Sequence, residues 1–247
     1  MPSFASAAPV HTALILAAGR GERMRPLTDV TPKPLLTVHG QPLIAWHLQA
    51  LARDGIRHVV INTAHLEDQF APLLGDGSRW GLRITYLHEG ALFGGALETA
   101  GGMAHALPHL GDAFWVMAGD VFVPGFRFDA TAAQAFVDGQ DWGHLWLVPN
   151  PPHVPQGDFA LNPEGRIAPR DQAPSDWPRH TYSTIGLYRP ELVAGLAVGE
   201  KSALKPWLDR AIAAHRLSGQ LWTGPWTDVG TPERLAHLNA QPAPASA

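Results

Sequence analysis

Short apolar runs recur along the chain, each closed by glycine or a polar cluster, and stretches of helical period lie between several of them. Residues 13–16 form the first run. Residues 42–54 then place Leu43, Ile44, Ala45, Leu48 and Leu51 on one helical face, and Gly55 stops the pattern. Residues 58–62 and 82–87 read as further strands, separated by a short amphipathic segment over 66–74 that ends at Gly75. Residues 114–117 read as a fourth strand, leading straight into Ala118-Gly119-Asp120. Downstream, 145–148 and 182–188 have strand character, and 203–215 predicts a helix with Leu204, Leu208, Ala211 and Ile212 inward.

Strands alternating with helices predict an α/β fold: a mostly parallel, Rossmann-like sheet flanked by helices, in a single domain. In such sheets ligands sit beyond the carboxyl ends of the strands. The glycine-containing loop after Leu16 and the acid at Asp120 both fall at such ends, so two candidate elements converge from pattern alone. The stretch 150–183 carries seven prolines and predicts a hairpin-rich excursion over the sheet. The expected boundaries are a loose leader over 1–11, the domain over 12–240 and a frayed Ala- and Pro-rich tail over 241–247. No internal repeat or low-complexity block interrupts the chain.

Composition narrows the function classes. A length of 247 residues suffices for a sizeable core, and a net charge of −4 opposes a nucleic-acid or membrane-surface role, which needs a basic excess. Zero cysteines exclude disulfides, thiolate nucleophiles and cysteine-ligated metal sites, in keeping with a cytoplasmic location. No stretch approaches the roughly 20 apolar residues of a membrane span, and residues 1–11 lack a basic region ahead of an apolar one. The expected partners are small molecules, and the expected state is a monomer or small homo-oligomer. The thirteen histidines show no metal-like spacing, and the nine tryptophans read mainly as packing.

The first apolar run breaks into Ala17, Ala18, Gly19 and Gly21 and at once into the cations Arg20, Arg23, Arg25 and Lys33. That order describes a triphosphate cradle. Residues without bulk let backbone N–H groups close on phosphate oxygens, and the cations neutralise them. No Gly-Lys-Ser/Thr follows, so this is not a P-loop, and the dinucleotide fingerprint is not completed either.

The string Leu16-Ala17-Ala18-Gly19-Arg20-Gly21-Glu22-Arg23-Met24-Arg25-Pro26, followed by Thr31-Pro32-Lys33-Pro34, resembles the signature of sugar-1-phosphate nucleotidyltransferases. These enzymes join a nucleoside triphosphate to a sugar phosphate and release pyrophosphate. His65-Leu66, the segments over 74–78 and 97–102, Gly119-Asp120-Val121, Gly157-Asp158-Phe159 and the segment over 226–231 follow in the family's order. The resemblance therefore spans residues 12 to 236 or so and implies the nucleotide-diphospho-sugar transferase type of fold. Within the family, the Glu-Thr-Ala-Gly-Gly, Gly-Asp-Phe and Asp-Val-Gly-Thr segments and the compact chain are most similar to the N-acetylmuramate 1-phosphate uridylyltransferases of cell-wall recycling. The implied cosubstrate is UTP. Guanylyl or thymidylyl transfer to mannose, glucose or heptose 1-phosphate, and a non-catalytic nucleotide-sugar sensor, are the competing expectations.

The resemblance assigns roles residue by residue. Leu16, Ala17, Ala18, Gly19 and Gly21 would bind the nucleotide through their backbone; Arg23 would stabilise the pyrophosphate leaving group and Lys33 would touch phosphate. Asp120 and Asp228 would hold Mg²⁺, which prefers one or two carboxylates together with phosphate and water. Thr99 and Gly101 would lie against the nucleobase, with Thr99 also suited to cap a helix. Glu89 would read the pyrimidine edge, although the segment over 91–96 is longer than the family's. For the sugar phosphate, Gly157 and Asp158 match contact positions, Thr184 stands where relatives carry glycine, and Lys201 or Lys205 would meet an anionic group. Ala118 replaces the pattern's Asn. Without the family, Arg23 and Lys33 read as surface cations, Asp120, Asp158 and Asp228 as turn residues, and Arg25 either touches phosphate or pairs with Asp29.

Overall fold

The apolar run after His11 becomes β1 (Thr12–Leu16), whose Ala13, Leu14 and Ile15 are fully buried. Alternation decides which layer each side chain joins. Ala13 and Ile15 pack with Val59, Ile61, Ile44, Leu48 and Leu51 on one face of the sheet, and Leu14 packs with Val60, Ala100, Met103 and Ala104 on the other. Truncating a side chain such as Leu48 to alanine costs about 2–5 kcal/mol through lost burial and the cavity left behind. The computed structural model describes residues 10–244.

From β1 the chain passes through three 3-10 turns at Glu22–Met24, Leu27–Asp29 and Lys33–Leu35, then the small hairpin β2 (Thr37–Val38) and β3 (Gln41–Pro42). Next come α1 (Leu43–Arg53), β4 (His58–Thr63), α2 (Phe70–Leu74), β5 (Arg83–His88), α3 (Glu89–Phe93), α4 (Glu98–Ala106), β6 (Phe114–Ala118) and β7 (Val121–Phe122). The second half holds α5 (Ala130–Asp138), β8 (Gly143–Val148), β9 (Phe159–Leu161), β10 (Ile167–Pro169), β11 (Arg179–Tyr188), α6 (Lys205–Ala213), β12 (Leu217–Leu221), β13 (Thr227–Asp228) and α7 (Pro232–Ala240).

The centre of the sheet is parallel: β6, β1, β4 and β5 lie side by side in that order. The long strand β11 runs antiparallel to both β6 and β8, and β12 closes the sheet parallel to β8. The excursion over 150–183 contains the β9–β10 hairpin, and β9 pairs with the start of β11 at Arg179 and His180. A two-stranded ribbon of β7 and β13 sets Asp228 opposite Val121, and Val229 N–H donates to Asp120 O at 2.9 Å. The segment after Asp120 is thereby tied to the segment after Trp226.

The expected strands and the two longer helices are present within a residue or two of their predicted ends, except that β11 starts earlier than expected. α5, α7 and β12 carried no comparable signal. Thr99 does not cap α4: the position before the helix is Leu97, whose N–H is held by the Glu89 carboxylate at 2.8 Å. At the amino end, Val10 is 2% exposed and His11 O accepts from Arg57 and His58 N–H, so ordered packing begins inside the expected leader. Residues 1–9 of that leader and 245–247 of the expected tail lie outside the described residues.

Candidate active site

Leu16 and Ala118, the last residues of β1 and β6, are paired directly across the sheet, and Gly119 N–H donates to Leu16 O at 2.9 Å. Two clefts open from that point. The loop-lined one, about 440 Å³, is walled by Leu16 to Gly19, Gly21 to Met24, Lys33, Asn62, Glu98, Thr99, Ala118, Asp120 and Gly230. Gly21 has φ +70°, and a Cβ there would meet Thr28 Cγ2 at 3.0 Å, so the turn requires glycine. Gly19 is different. A Cβ there would meet no protein atom within 4 Å, which leaves open space where a ligand backbone could approach.

The loop's cations fall into two kinds. Arg20 and Arg25 both reach Asp29 Oδ1 at 2.9 Å, and Arg20 is the main cause of that carboxyl's lowered pKa. Arg25 thus takes the pairing alternative. Arg23 faces the cleft, is exposed, and makes no hydrogen bond or ion pair among the described residues. Lys33 is 8% exposed, and its Nζ donates to Asp120 Oδ2 at 2.7 Å. A buried ammonium held by a half-exposed carboxylate at a strand end is a fixed charge pair facing the cleft.

Behind the loop runs a buried polar relay. Ala17 N–H donates to Asn62 Oδ1 at 2.9 Å, and Asn62 Nδ2 donates to Glu89 Oε1 at 2.8 Å. Both Glu89 oxygens are therefore occupied, the second by Leu97 N–H. Burial raises the Glu89 pKa, while the bonds from Leu97 and Asn62 oppose the shift. The expected base-reading role does not match this position: Glu89 is fully buried and does not line the cleft. Asn62 does line it. Gly101 also lies behind the wall, where a Cβ would meet Glu200 O at 2.5 Å, so its lack of bulk admits the 200–202 segment.

The second cleft, about 530 Å³, shares Leu16, Thr99 and Ala118 with the first and continues along Asp158, Phe159, Arg170, Asp171, Tyr182, Thr184 and Lys205. Asp158 Oδ2 accepts from Tyr182 N–H at 2.8 Å. Gly157 is not in its wall; it has φ +65°, and a Cβ there would meet His180 O at 2.8 Å. Lys201 is not in the wall either. Its Nζ lies 3.5 Å from Glu98 Oε1, on the side of the first cleft, and Lys205 occupies the second one, paired with Asp209 at 2.6 Å. Arg170 was missed by sequence reasoning because it sits in an irregular segment between β10 and β11.

Asp228 reaches the site through the β7–β13 ribbon and not through the cleft wall. Arg234 Nη1 pairs with its Oδ2. His153 Nε2 stands 3.0 Å from Oδ1, but out of hydrogen-bonding alignment, so that buried oxygen has no hydrogen-bond donor among the described residues. An unsatisfied buried carboxylate oxygen fits a cation ligand. Among the described residues no group of three His, Cys, Asp or Glu forms a metal cage; a cation here would draw on Asp120, Asp228 and the ligand's own phosphates.

The glycine loop at paired strand ends, the fixed Lys33–Asp120 pair and the unpartnered Arg23 are features of a nucleotide-handling enzyme, and similarity to known proteins agrees. The nucleotidyl transferase family model matches residues 12–243. The chain belongs to that family. It is 48% identical over 92% of its length, and 96% of the relative's, to an N-acetylmuramate alpha-1-phosphate uridylyltransferase of Neisseria meningitidis. A protein of the same name from Caulobacter vibrioides is 32% identical over 94% of this chain and 97% of that one. The inositol-1-phosphate CTP transferase of T. maritima shares the fold, with a TM-score of 0.70 at 17% identity over 95% of this chain and 98% of that one. The protein is a nucleotidyltransferase with a mostly parallel central sheet of the type found in that structure. No helix among the described residues is long and apolar enough to cross a membrane.

Proposed function

We propose that the protein transfers a uridylyl group from UTP to N-acetyl-α-muramic acid 1-phosphate, releasing pyrophosphate and forming the UDP-sugar, as a cytoplasmic step of peptidoglycan recycling. The observation that carries the reaction type is the pair of adjoining clefts meeting at Leu16, Thr99 and Ala118. One has a phosphate loop and an unpartnered arginine; the other has carboxylates, cations and hydroxyls suited to a phosphorylated sugar. The choice of uridylyl and muramate rests on likeness over nearly the whole chain to two relatives of that name.

A phosphate oxygen of the sugar 1-phosphate attacks the α-phosphorus of UTP in line. The new P–O bond forms as the bond to the β-phosphate oxygen breaks, and pyrophosphate leaves with that electron pair. Repulsion between phosphates is the obstacle, so fixed positive charge is the remedy. Arg23 and Lys33 hold the charge that grows on the leaving group, and the backbone from Leu16 to Gly21 positions the nucleotide. No general base is needed, because a phosphate monoester with a second pKa of about 6 is already largely ionised near neutrality. Asp120 and Asp228 would hold Mg²⁺, which would supply charge screening between the phosphate oxygens. Asp158, Thr184 and the backbone near Gly157 shape the sugar end, with Lys205 a better-placed cation there than Lys201.

Pyrophosphate release with Mg²⁺ tests this reading, using UTP, TTP, GTP, CTP and ATP each against a panel of sugar 1-phosphates. Release with UTP and N-acetylmuramate 1-phosphate, abolished in Asp120→Ala and reduced about a hundredfold in Arg23→Ala, is the expected result. Another productive pair would replace the substrates and keep the mechanism. Nucleotide binding without any release would leave a sensor.

A further inference from the structure

β11 does not run straight past the sugar end. Tyr182 lies opposite Leu147 and Ile185 opposite Trp146, so Ser183 and Thr184 are extra residues of a bulge. The bulge is firmly built. Ser183 Oγ donates to Trp146 O at 2.6 Å and accepts from Ile185 N–H at 3.1 Å, and Trp226 Nε1 donates to Ser183 O at 3.0 Å. Bulges of this kind re-aim a side chain beside a site.

The consequence falls on Thr184. Its φ is +67°, the left-handed region that β-branched residues rarely occupy. Its Oγ1 is also buried without a hydrogen-bond partner among the described residues. Glycine at this position would carry neither cost, so two unfavourable features coincide on one residue of the cleft wall. Nearby polar groups are already engaged: Tyr182 and Tyr188 hydroxyls meet at 2.5 Å, and one Asp158 oxygen takes Tyr182 N–H. Ala118, in the same wall, has no polar side-chain atom. The Thr184 hydroxyl can both donate and accept, and a turn of χ1 to another staggered well exchanges it with the methyl group or hydrogen on Cβ.

We propose that the Thr184 hydroxyl is a sugar-selecting group, left unpaired by the protein and satisfied by a polar atom of the bound sugar 1-phosphate. This rests on the sugar-1-phosphate reading above. The strain and the missing partner are then features of a recognition residue whose partner arrives with the substrate.

Steady-state kinetics of the full chain with Mg²⁺ and UTP, on the sugar 1-phosphate it turns over fastest, test the assignment in Thr184→Val, Thr184→Ser and Thr184→Gly. Valine keeps the branched shape and the left-handed backbone while removing the hydroxyl. Thr184→Val and Thr184→Gly are expected to raise the sugar KM roughly fivefold, leave the UTP KM unchanged and raise the melting temperature. Thr184→Ser retains the wild-type sugar KM. A role in the fold alone would shift the melting temperature and leave the sugar KM where it was. If Thr184→Val does not fold, Thr184→Gly against Thr184→Ser supplies the same contrast. An unchanged sugar KM in Thr184→Val, or in Thr184→Gly where valine does not fold, overturns the hydroxyl's role while wild-type turnover preserves the underlying reading. A wild-type protein that turns over no sugar 1-phosphate overturns both.

Discussion

At the proposed nucleotide end, the groups facing the cleft come chiefly from one stretch of chain, Leu16 to Lys33, folded back by a glycine turn onto the ends of β1 and β6. At the proposed sugar end they come from β9, the segment after β10, the bulge of β11 and the start of α6. The first end is preorganised by charge, with Lys33 on Asp120 and a buried relay behind Ala17. The second is preorganised by backbone, with a bulge that turns Thr184 out of the ladder. Chemistry that must be the same for every substrate belongs on the first kind of scaffold. Selection among sugars belongs on the second, where a few side chains can change without touching the charge pair.

The largest expected effect breaks the nucleotide end. Lys33→Met keeps most of the buried stem and removes the ammonium, leaving Asp120 without its 2.7 Å partner. Pyrophosphate release should fall by a factor on the order of a thousand, while circular dichroism reports an intact fold. Loss of less than a tenth of the rate would show that Asp120 needs no fixed cation.

Acid should weaken the fold through two histidines that burial keeps neutral. His47 lies in α1 beneath Val121, and His144 lies in β8 beside β12; burial lowers both pKa values to about 4. The unfolded chain binds these protons near pH 6.5 and the native one does not, so stability is full above that value and declines as pH falls toward 4. Each histidine contributes a loss of about 3 kcal/mol across that window. The raised Glu89 pKa has the opposite sign, its contribution being present at low pH and lost as pH rises. Chemical denaturation at pH 7, 6 and 5 checks the balance: His144→Gln should remove part of the acid loss, and a pH-independent midpoint in the wild type would contradict it.

Glu89→Gln probes how the relay supports the loop. The carboxylate accepts from two N–H donors, and an amide can accept only through its oxygen, so one donor faces an NH₂ group. A loss of about 1–3 kcal/mol in stability is expected, with a higher UTP KM and no change for the sugar. An equal rise in both KM values would show that the two ends are not independently built.

The unequal legibility of the two ends follows from the same contrast. A cradle made from consecutive residues leaves its small residues and cations adjacent in the sequence, which is why Ala17, Gly19, Gly21, Arg23 and Lys33 were readable there and all line the cleft. The parallel centre of the sheet was readable for a related reason: each strand is a local apolar run. Sugar-end groups come together only through pairing of β9, β10 and β11, so no local pattern marks Arg170, and Lys201 and Lys205 could not be told apart. The base-reading role of Glu89 came from the family resemblance, and no local pattern marks the residue as buried; in the fold Glu89 and Asn62 are both enclosed, and a Cβ on Gly102 would meet Asn62 Nδ2 at 2.6 Å.

The smallest effect is the sharpest check on how the loop divides its cations. Arg25 lies two residues from Arg23 and carries the same guanidinium, but that group is spent on Asp29, 2.9 Å away, in an exposed i,i+4 pair. Such pairs contribute about 0.2–1 kcal/mol, and Arg20 continues to hold Asp29 when Arg25 is removed. Arg25→Ala should therefore change the melting temperature only slightly and leave pyrophosphate release near wild type. A rate loss comparable to that of Arg23→Ala would mean that Arg25 leaves Asp29 when triphosphate binds, and that the cradle uses its cations in common instead of assigning them.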